Sequence, residues 1–406
     1  MRIRNKRVFL DYASTTPFDQ EIFKKVSKTI RDSFYNASAF YKEGQQTSDL
    51  LEDARLQTAR TVSVKPDEVI FTGSGTESDN LAILGLIKAI KQNDSGFFDY
   101  WKDKKPHIIV SSIEHPAILE TCKVLESEDR AEVTYLPVLE NGRIDISKLK
   151  NYIKLETVLI SIILANNEIG VIQSIRNISG VIKKYKEENN RSFNEPPFLH
   201  TDASQAPCFL DINIDRLGAQ MMTLDSSKFY GPKGVGCLIR KNHIPLSPIM
   251  FGGGQEGGFR PGTENVGMII GFSMALKKAQ SEKDMFSEKM KKIQDYFLIK
   301  IKEELEPIYP EIKINGSLKN RLPNNINICI PKINSEFTVI QLDELGVSCS
   351  SITACKNSSE MARSYVVDSL GYDCGSSSLR FSFGKDNVLS DVDFVISKLK
   401  EILINN

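Results

Sequence analysis

The stretch Glu68-Val-Ile-Phe-Thr-Gly-Ser-Gly-Thr-Glu-Ser78 joins a short apolar run to a helical pattern, Asn80 to Lys91, through a series of small residues. The same order of apolar run, short connection and amphipathic stretch recurs from about Thr47 to Arg240. The further apolar runs typical of strands are His107–Val110, Glu132–Leu136, Val158–Leu164 and Phe198–Asp202. Strands that alternate with helices predict an α/β fold with a mostly parallel, doubly wound sheet.

A long Lys- and Glu-rich helical pattern follows from about Gly267 to Leu305, and shorter strand and helix patterns fill the rest of the chain. A chain of 406 residues is too long for one small hydrophobic core. We therefore expect a large domain over residues 18–266. A smaller α+β domain is expected from residues 1–17 and 267–406, with the long helix as the connector.

The composition excludes several classes of function. Lys+Arg and Asp+Glu are balanced at 52 each, so no overall field favours direct binding of nucleic acid or of an anionic membrane. No apolar run is long enough to predict a membrane span, and the basic first residues lack the apolar core of a signal peptide. The seven cysteines are scattered without a CxxC pair, which predicts no disulfide framework, no metal site and a cytoplasmic location.

Gly75 and Thr76 stand between the first strand and its helix. Small residues let the backbone approach an anion closely, and the helix N-terminus supplies free N–H groups, which predicts a phosphate site. The alternative is a capped turn, since Ser, Thr and Glu are common at the start of a helix.

Two charged residues follow apolar strands. Asp202 ends the run Phe198–Asp202, and a carboxylate at such a strand end points into the ligand crevice, where it could hold a pyridine nitrogen protonated. Lys228, in the segment Asp225–Gly236, precedes a Gly-rich turn, and a desolvated lysine there could form a Schiff base. The alternatives are a helix N-cap for Asp202 and an ordinary surface lysine for Lys228.

Two further segments have unusual composition. The glycine density of Gly252–Thr263 requires unusual backbone dihedrals, a close approach to another surface, or a flexible hinge. Cys355 lies among small polar residues, which indicates an exposed loop carrying a thiol, whereas a free cysteine is more often a buried small hydrophobe. Cys349 in the same stretch is either a second reactive thiol or a structural residue.

The order and joint content of these segments resemble the cysteine desulfurases of the class V aminotransferase family, from about Phe9 to the C-terminal helix. The matching segments are Phe9–Pro17, Phe71–Asn80, Glu114-His115, Asn166–Gly170, His200–Gln205, Asp225–Gly236, Gly252–Thr263 and Ser377–Gly384. The resemblance implies a pyridoxal-phosphate (PLP) enzyme of fold-type I that converts L-cysteine to L-alanine. It also implies a homodimer that passes sulfur to an acceptor protein, such as an iron–sulfur scaffold or a tRNA-thiolation protein.

The resemblance also implies residue roles. Cys355 receives the sulfur as a persulfide, Lys228 forms the Schiff base and moves the α-proton, and His115 stacks on the ring. Asn167 and Arg380 orient the substrate. The cofactor-binding residues are Gly75, Thr76, Asp202, Gln205, Ser226, Ser227, Lys228 and, from the other subunit, Thr263. A selenocysteine lyase and a catalytically degenerate scaffold paralogue are the alternatives.

The chain departs from the family pattern at three places. The family's Ser-x-His-Lys becomes Asp225-Ser-Ser-Lys228, its Gln-Glu-Arg-Gly becomes Gln255–Gly258, and the segment before Cys355 is longer by about two residues. A carboxylate ~4 Å from a phosphate is repelled by roughly 4 kcal/mol per pair of unit charges at an effective dielectric constant of about 20. We therefore expect Asp225 to turn to a neighbouring donor or to be protonated, and PLP to bind more weakly than is usual for the family.

Overall fold

The structure, a computed structural model, describes residues 6–92, 99–351 and 363–405. Its helices are α1 (Gln20–Asp32), α2 (Lys42–Val62), α3 (Gly75–Gln92), α4 (Asp99–Lys102), α5 (Pro116–Ser127), α6 (Ile146–Leu149), α7 (Ile175–Glu188), α8 (Ile214–Leu217), α9 (Val266–Lys300), α10 (Ser335–Glu344), α11 (Tyr365–Asp368) and α12 (Leu389–Asn405). Its strands are β1 (Val8–Phe9), β2 (Val69–Thr72), β3 (His107–Ser111), β4 (Glu132–Leu136), β5 (Thr157–Ser161), β6 (Phe198–Asp202), β7 (Met221–Asp225), β8 (Gly236–Arg240), β9 (Lys313–Ile314), β10 (Asn325–Cys329), β11 (Val347–Ser348) and β12 (Ser378–Ser382).

A seven-stranded sheet in the order β2-β8-β7-β6-β5-β3-β4 forms the centre of the molecule. The neighbours from β7 to β4 are all parallel, while β8 runs antiparallel to both β7 and β2. The predicted α/β fold with a mostly parallel sheet is therefore confirmed.

Both faces of this sheet are covered, since every strand except β4 is buried at nearly every position. Alternate residues point to opposite faces. Ile109, Ile160 and Leu199 pack into one apolar cluster with residues of α7 and α9. Their neighbours Ile108 and Leu159 pack into a second cluster with residues of α3 and α5. Helices on both faces are the doubly wound arrangement that the sequence predicts.

The long helix α9 lies against two sheets. Near its start the ring of Phe272 packs edge-on against Phe71 of β2, 5.7 Å between ring centroids. Near its end Phe297 packs against Phe381 of β12 at 5.2 Å, in a three-stranded sheet of order β12-β10-β9. The N-terminal strand β1 pairs with β11, away from the large sheet. The domain boundaries of 18–266 against 1–17 and 267–406 stay a prediction.

The strands fall close to the predicted runs, with one difference after β5. The apolar run to Leu164 predicts a longer strand, but β5 ends at Ser161. The next residues keep strand-like hydrogen bonds to β6, since the N–H groups of Ile162 and Leu164 donate to the carbonyls of His200 and Asp202. This extension brings the chain to the edge of the sheet.

The cysteine prediction is partly wrong. The six described cysteines are buried, but Cys329 and Cys374 form a disulfide with their Cα atoms 5.9 Å apart, which the sequence did not predict. Antiparallel pairing places Cys329 of β10 opposite Ser378 of β12, so the turn that leads into β12 returns Cys374 to the end of β10. Strand register of this kind is not visible in the cysteine spacing. In the described part of the chain no helix has the length and apolarity needed to span a membrane.

Candidate active site

The carboxyl ends of the parallel strands lie side by side, so the polar side chains at these ends meet at one edge of the sheet. His115 follows β3, Asn167 follows β5, Asp202 ends β6 and Asp225 ends β7. Since β2 and β7 are both antiparallel to β8, β2 also ends at this edge and leads into Gly75. A cavity of about 290 Å³ opens there. Its lining residues are Ala13, Ser14, Gly75, Thr76, Asp79, His115, Ile163, Ala165, Asn167, Asp202, Ser204, Gln205, Asp225, Lys228 and Arg380.

Lys228 reaches the cavity from the 3-10 turn Ser226–Lys228, directly after β7. Its Nζ donates to the carbonyl oxygens of Ala13 at 3.2 Å and Ser14 at 2.5 Å. Burial lowers the pKa of this amine below its ordinary value, although the nearby carboxylate of Asp225 opposes the shift. Lys228 is therefore a lysine that loses its proton more easily than one in water.

Asp202 and Asp79 are buried carboxyl groups that line the cavity. Asp202 accepts the backbone N–H of Ser204 at 2.9 Å. Asp79 is 1% exposed, and burial together with the charge of Asp202 raises its pKa well above the ordinary value. Asp79 therefore holds its proton more tightly than a carboxyl group in water does.

His115 caps the N-terminus of α5. Its Nδ1 accepts the backbone N–H of Ala117 at 3.2 Å, so the proton of the neutral ring is on Nε2. Burial lowers the pKa of this imidazole, with the carboxylate of Asp202 acting in the opposite direction. His115 thus presents to the cavity a neutral ring with one N–H.

Arg380 of β12 closes the opposite side of the cavity and is 4% exposed. Its Nη2 donates to Asp11 Oδ1 and to Ser14 Oγ, both at 2.7 Å, and its Nη1 donates to the carbonyl of Asn167 at 3.0 Å. Its Nε has no partner among the described residues. A guanidinium held by a carboxylate in this way can exchange that partner for the carboxylate of a small ligand.

The start of α3 forms the remaining wall. Gly236 of β8 has to be glycine, since a Cβ there would lie 2.4 Å from the carbonyl carbon of Ser74. The N–H of Gly75 donates to Asp225 Oδ2 at 2.9 Å. Asp225 Oδ1 accepts the N–H of Ser227 at 2.9 Å and its hydroxyl at 2.6 Å. Asp225 has therefore turned to a neighbouring donor, one of the two outcomes that the sequence left open.

Three of the described site residues that the sequence predicts do not line the cavity. Ser226 is buried with its hydroxyl directed at Gly231, and Ser227 donates its hydroxyl to Asp225. Thr263 is exposed on the glycine segment. Cys355 lies outside the described residues.

Cys349 is buried, and burial raises the pKa of its thiol to about 12. It is therefore a neutral thiol at physiological pH, which favours the structural role over the reactive one.

The described residues on either side of the segment 352–362 are tied to the cavity. Ser350 exchanges backbone hydrogen bonds with Arg380, at 3.2 and 2.6 Å. On the other side Ser364 Oγ donates to Glu168 Oε2 at 2.5 Å, and the hydroxyl of Tyr365 donates to the Glu114 carbonyl at 2.7 Å. Glu114 and Glu168 adjoin His115 and Asn167 in the chain, so the described residues that flank 352–362 are bonded to segments that line the cavity.

Sequence reasoning missed Asp11, Ser14 and Asp79. The first two belong to the matching segment Phe9–Pro17, which was noted without a role for any of its residues. Asp79 stands four residues after Gly75, and this spacing places both on the same face of α3. That spacing was the available signal for Asp79.

Comparison with known proteins identifies the family. A family model described as aminotransferase class-V matches residues 8–395. The chain belongs to the class V aminotransferase family. This class V member is 36% identical to a cysteine desulfurase IscS of Dictyoglomus turgidum. The alignment of 400 residues covers 98% of this chain and 95% of that protein. It is also 36% identical to the cysteine desulfurase IscS of Methanosarcina thermophila, over 98% of the chain and 92% of that protein.

Solved structures of the same family superpose well. A NifS-like protein matches with a TM-score of 0.85 and 28% identity, over 98% of this chain and 100% of that one. SspA in complex with cysteine matches with a TM-score of 0.73 and 31% identity, over 94% of this chain and 99% of that one. These matches confirm the fold-type I architecture and the resemblance to cysteine desulfurases. Dependence on PLP is a general property of this family.

Proposed function

We propose that this protein is a PLP-dependent cysteine desulfurase that transfers the sulfur of L-cysteine to Cys355 and releases L-alanine. The observation that carries the proposal is the meeting of Lys228, Asp202, His115 and Arg380 in one cavity, although they lie on four separate segments of the chain. A proton-transfer group, a buried carboxylate, a flat ring and an arginine are together suited to an amino acid bound to a pyridine cofactor.

The residues of the cavity fit the ring of PLP. Asp202 would hold the pyridine nitrogen, Gln205 the phenolic oxygen, and His115 would lie against the ring. Lys228 would hold the aldehyde carbon. When bound, PLP withdraws electrons from the substrate and so weakens the bonds at its Cα and Cβ. The raised pKa of Asp79 supports this arrangement, because a carboxyl group that holds its proton more tightly adds less negative charge beside Asp202.

Arg380 and Asn167 would bind the substrate. The carboxylate of L-cysteine would take the place of Asp11 on the Arg380 guanidinium, which is planar and suited to bidentate contact. Ser14 Oγ, 2.7 Å from the same Nη2, would stay as a third ligand of that guanidinium. This exchange would orient the Cα–H bond of the substrate toward Lys228.

Lys228 would accept the α-proton at Nζ and return a proton to the carbon that becomes the alanine methyl group. Its lowered pKa makes the required neutral amine more accessible. His115 can donate the proton on Nε2 to the same region.

Cys355 would attack the substrate sulfur as a thiolate. An S–S bond forms while the C–S bond of the substrate breaks, so that L-cysteine and one enzyme thiol become L-alanine and one enzyme persulfide. This balance needs no external oxidant. The terminal sulfur then passes to the thiolate of an acceptor, such as an iron–sulfur scaffold or a tRNA-thiolation protein.

A homodimer would complete the site. Thr263 is exposed and lies outside the cavity of its own chain, so it would serve the cavity of the partner subunit. Contact with the partner subunit would then explain why the segment that carries Thr263 is rich in glycine, since glycine allows a close approach to another surface.

The first test concerns the sulfur carrier. Cys355→Ala should release no sulfide from L-cysteine in the presence of a reducing thiol, yet should keep the cofactor absorption band. Cys349→Ala is the matched control and should keep full activity, because burial keeps the thiol of Cys349 neutral. Full activity in Cys355→Ala, with activity lost in Cys349→Ala, would move the role to Cys349. Sulfide and alanine are measured together.

The second test concerns Lys228. Borohydride reduction of the holoenzyme followed by peptide mapping should find the cofactor attached to Lys228. Attachment to Lys233 would show that the segment Asp225–Gly236 has been misassigned. A protein without any absorption band would be the degenerate scaffold, and a preference for selenocysteine in kcat/KM would make the enzyme a selenocysteine lyase.

A further inference from the structure

Asp225 lies at the junction of three elements that face the cofactor cavity. It ends β7, precedes the turn that carries Lys228, and touches the first residue of α3. Its two carboxylate oxygens are both engaged: Oδ2 accepts the N–H of Gly75, and Oδ1 accepts the N–H and the hydroxyl of Ser227. A Cβ added at Gly75 would lie 3.1 Å from Asp225 Cβ, so the two residues are packed against each other.

The first N–H groups of a helix can bind a phosphate, because they have no partner within the helix and lie at the positive end of its dipole. Ser74 accepts two of them, from Glu77 at 3.2 Å and from Ser78 at 3.1 Å. Asp225 accepts the N–H of Gly75, and within the described residues only the N–H of Thr76 stays without a partner. The chain's own carboxylate therefore occupies half of the Gly75–Thr76 pair expected to bind the anion.

The cavity at this helix start also contains an unsatisfied polar group of its own. Asp79, one turn further along α3, is 1% exposed, lines the cavity, and has no hydrogen-bond partner for Oδ1 among the described residues. A ligand that lies along α3 would thus meet an incomplete set of donors at the phosphate end and, deeper in the cavity, a carboxyl oxygen without a hydrogen-bond partner. The obstacle to phosphate binding is localised at Asp225.

We propose that the carboxylate of Asp225 competes with the phosphate group of the cofactor for the N–H of Gly75, so that this enzyme distinguishes PLP from unphosphorylated pyridoxal less sharply than a variant with serine at this position. The proposal rests on the proposed function, since it assumes that the cavity binds the pyridoxal ring. Bound phosphate has to take the N–H of Gly75 from the carboxylate and then lie beside it. Pyridoxal makes neither demand.

Titration of the apo-protein with PLP and with pyridoxal tests the proposal by absorbance, without any measurement of turnover. The quantity compared is the ratio of the two Kd values, pyridoxal over PLP, because ring binding cancels in it. Asp225→Ser should raise this ratio by about tenfold or more, equivalent to about 1.4 kcal/mol. Asp225→Asn removes the charge but keeps an acceptor for Ser227, and it should also raise the ratio. This second variant decides the test if Asp225→Ser folds poorly.

Asp145→Ser is the matched control. Asp145 accepts hydrogen bonds from the N–H and the hydroxyl of Ser147, just as Asp225 accepts them from Ser227. Asp145 caps α6, however, and does not line the cavity. The control should leave the ratio unchanged. An unchanged or lowered ratio in both Asp225 variants would overturn the inference. If neither compound binds the wild-type protein, the proposed function itself fails, which is a different result.

Discussion

Glu114 directly precedes His115 and is fully enclosed by the protein. Its Oε1 accepts the Ser111 hydroxyl and, at 2.9 Å, the N–H of Ile163, while its Oε2 has no partner among the described residues. Burial raises the pKa of this carboxyl to about 8, with those two hydrogen bonds acting in the opposite direction. For Glu114, desolvation therefore has a larger effect on the pKa than the two hydrogen bonds have.

The raised pKa of Glu114 predicts a pH-dependent stability difference. Between its ordinary value of about 4.5 and the folded value of about 8, the unfolded state has lost a proton that the folded state keeps. The free energy of unfolding therefore decreases as pH rises through this window, by at most about 1.4 kcal/mol per pH unit. Glu114→Gln removes this dependence and keeps the Oε1 acceptor.

Urea unfolding of wild type and Glu114→Gln at pH 5 and pH 8 measures the effect. The variant should gain stability relative to wild type at the higher pH. A difference that is the same at both pH values would show that the carboxyl of Glu114 ionises normally.

At the scale of elements, α2 and the glycine segment are joined by a buried ion pair. Arg55 of α2 donates to both oxygens of Glu256 at 2.8 Å, and the N–H of Phe71 donates to Glu256 Oε2 at 2.8 Å. Glu256 has a φ of +50°, so this contact holds a residue in the left-handed region that usually favours glycine. The pair thus anchors the segment that carries Thr263.

Removal of one partner of this pair should be costly, because it leaves a buried charge uncompensated. Glu256→Gln should lower the free energy of unfolding by about 3–5 kcal/mol. Glu52→Gln is the control: Glu52 also pairs with Arg55, at 3.1 Å, but its side chain is 59% exposed, and the loss should stay below about 1 kcal/mol. Equal losses in chemical denaturation would show that burial does not decide the strength of these pairs.

At the scale of the whole molecule, large apolar side chains are exposed around the glycine segment. Phe34, Phe40 and Phe251 are 73%, 97% and 79% exposed. A cavity of about 830 Å³ is lined both by residues 37–38 and by residues 254–257, which places the two segments on one face of the molecule. An apolar face of this kind, next to Thr263, is suited to the interface of the proposed homodimer.

The dimer prediction is tested by mass and by cofactor affinity. Light scattering should give twice the 45.6 kDa mass of one chain. Phe40→Asp should shift the protein toward monomer and weaken PLP binding, because Thr263 leaves the partner's cavity. Phe337→Asp on α10 is the control for an added charge at an exposed phenylalanine and should change neither. A monomeric wild type with unchanged PLP affinity in Phe40→Asp would contradict the shared site.

The sequence by itself determined the layer architecture and the positions of the ligand-facing side chains along the chain. Hydrophobic periodicity is a local property, so β4 and β6 agree with the predicted runs at both ends. Asp202 could be assigned to the crevice because the carboxyl ends of strands in an open α/β sheet face it. The resemblance added His115 and Arg380, which no local pattern assigned to the same site.

Only the tertiary structure decided which groups meet across the chain. Asp11 lies 369 residues from Arg380, and Gly75 lies 150 residues from Asp225, yet each pair forms a hydrogen bond. The disulfide of Cys329 and Cys374 depends on the register of β10 against β12. The pKa shifts of Glu114 and Asp79 depend on burial, which is known only once the chain has folded. Contacts and desolvation are non-local, and no pattern of residue types along the chain encodes them on its own.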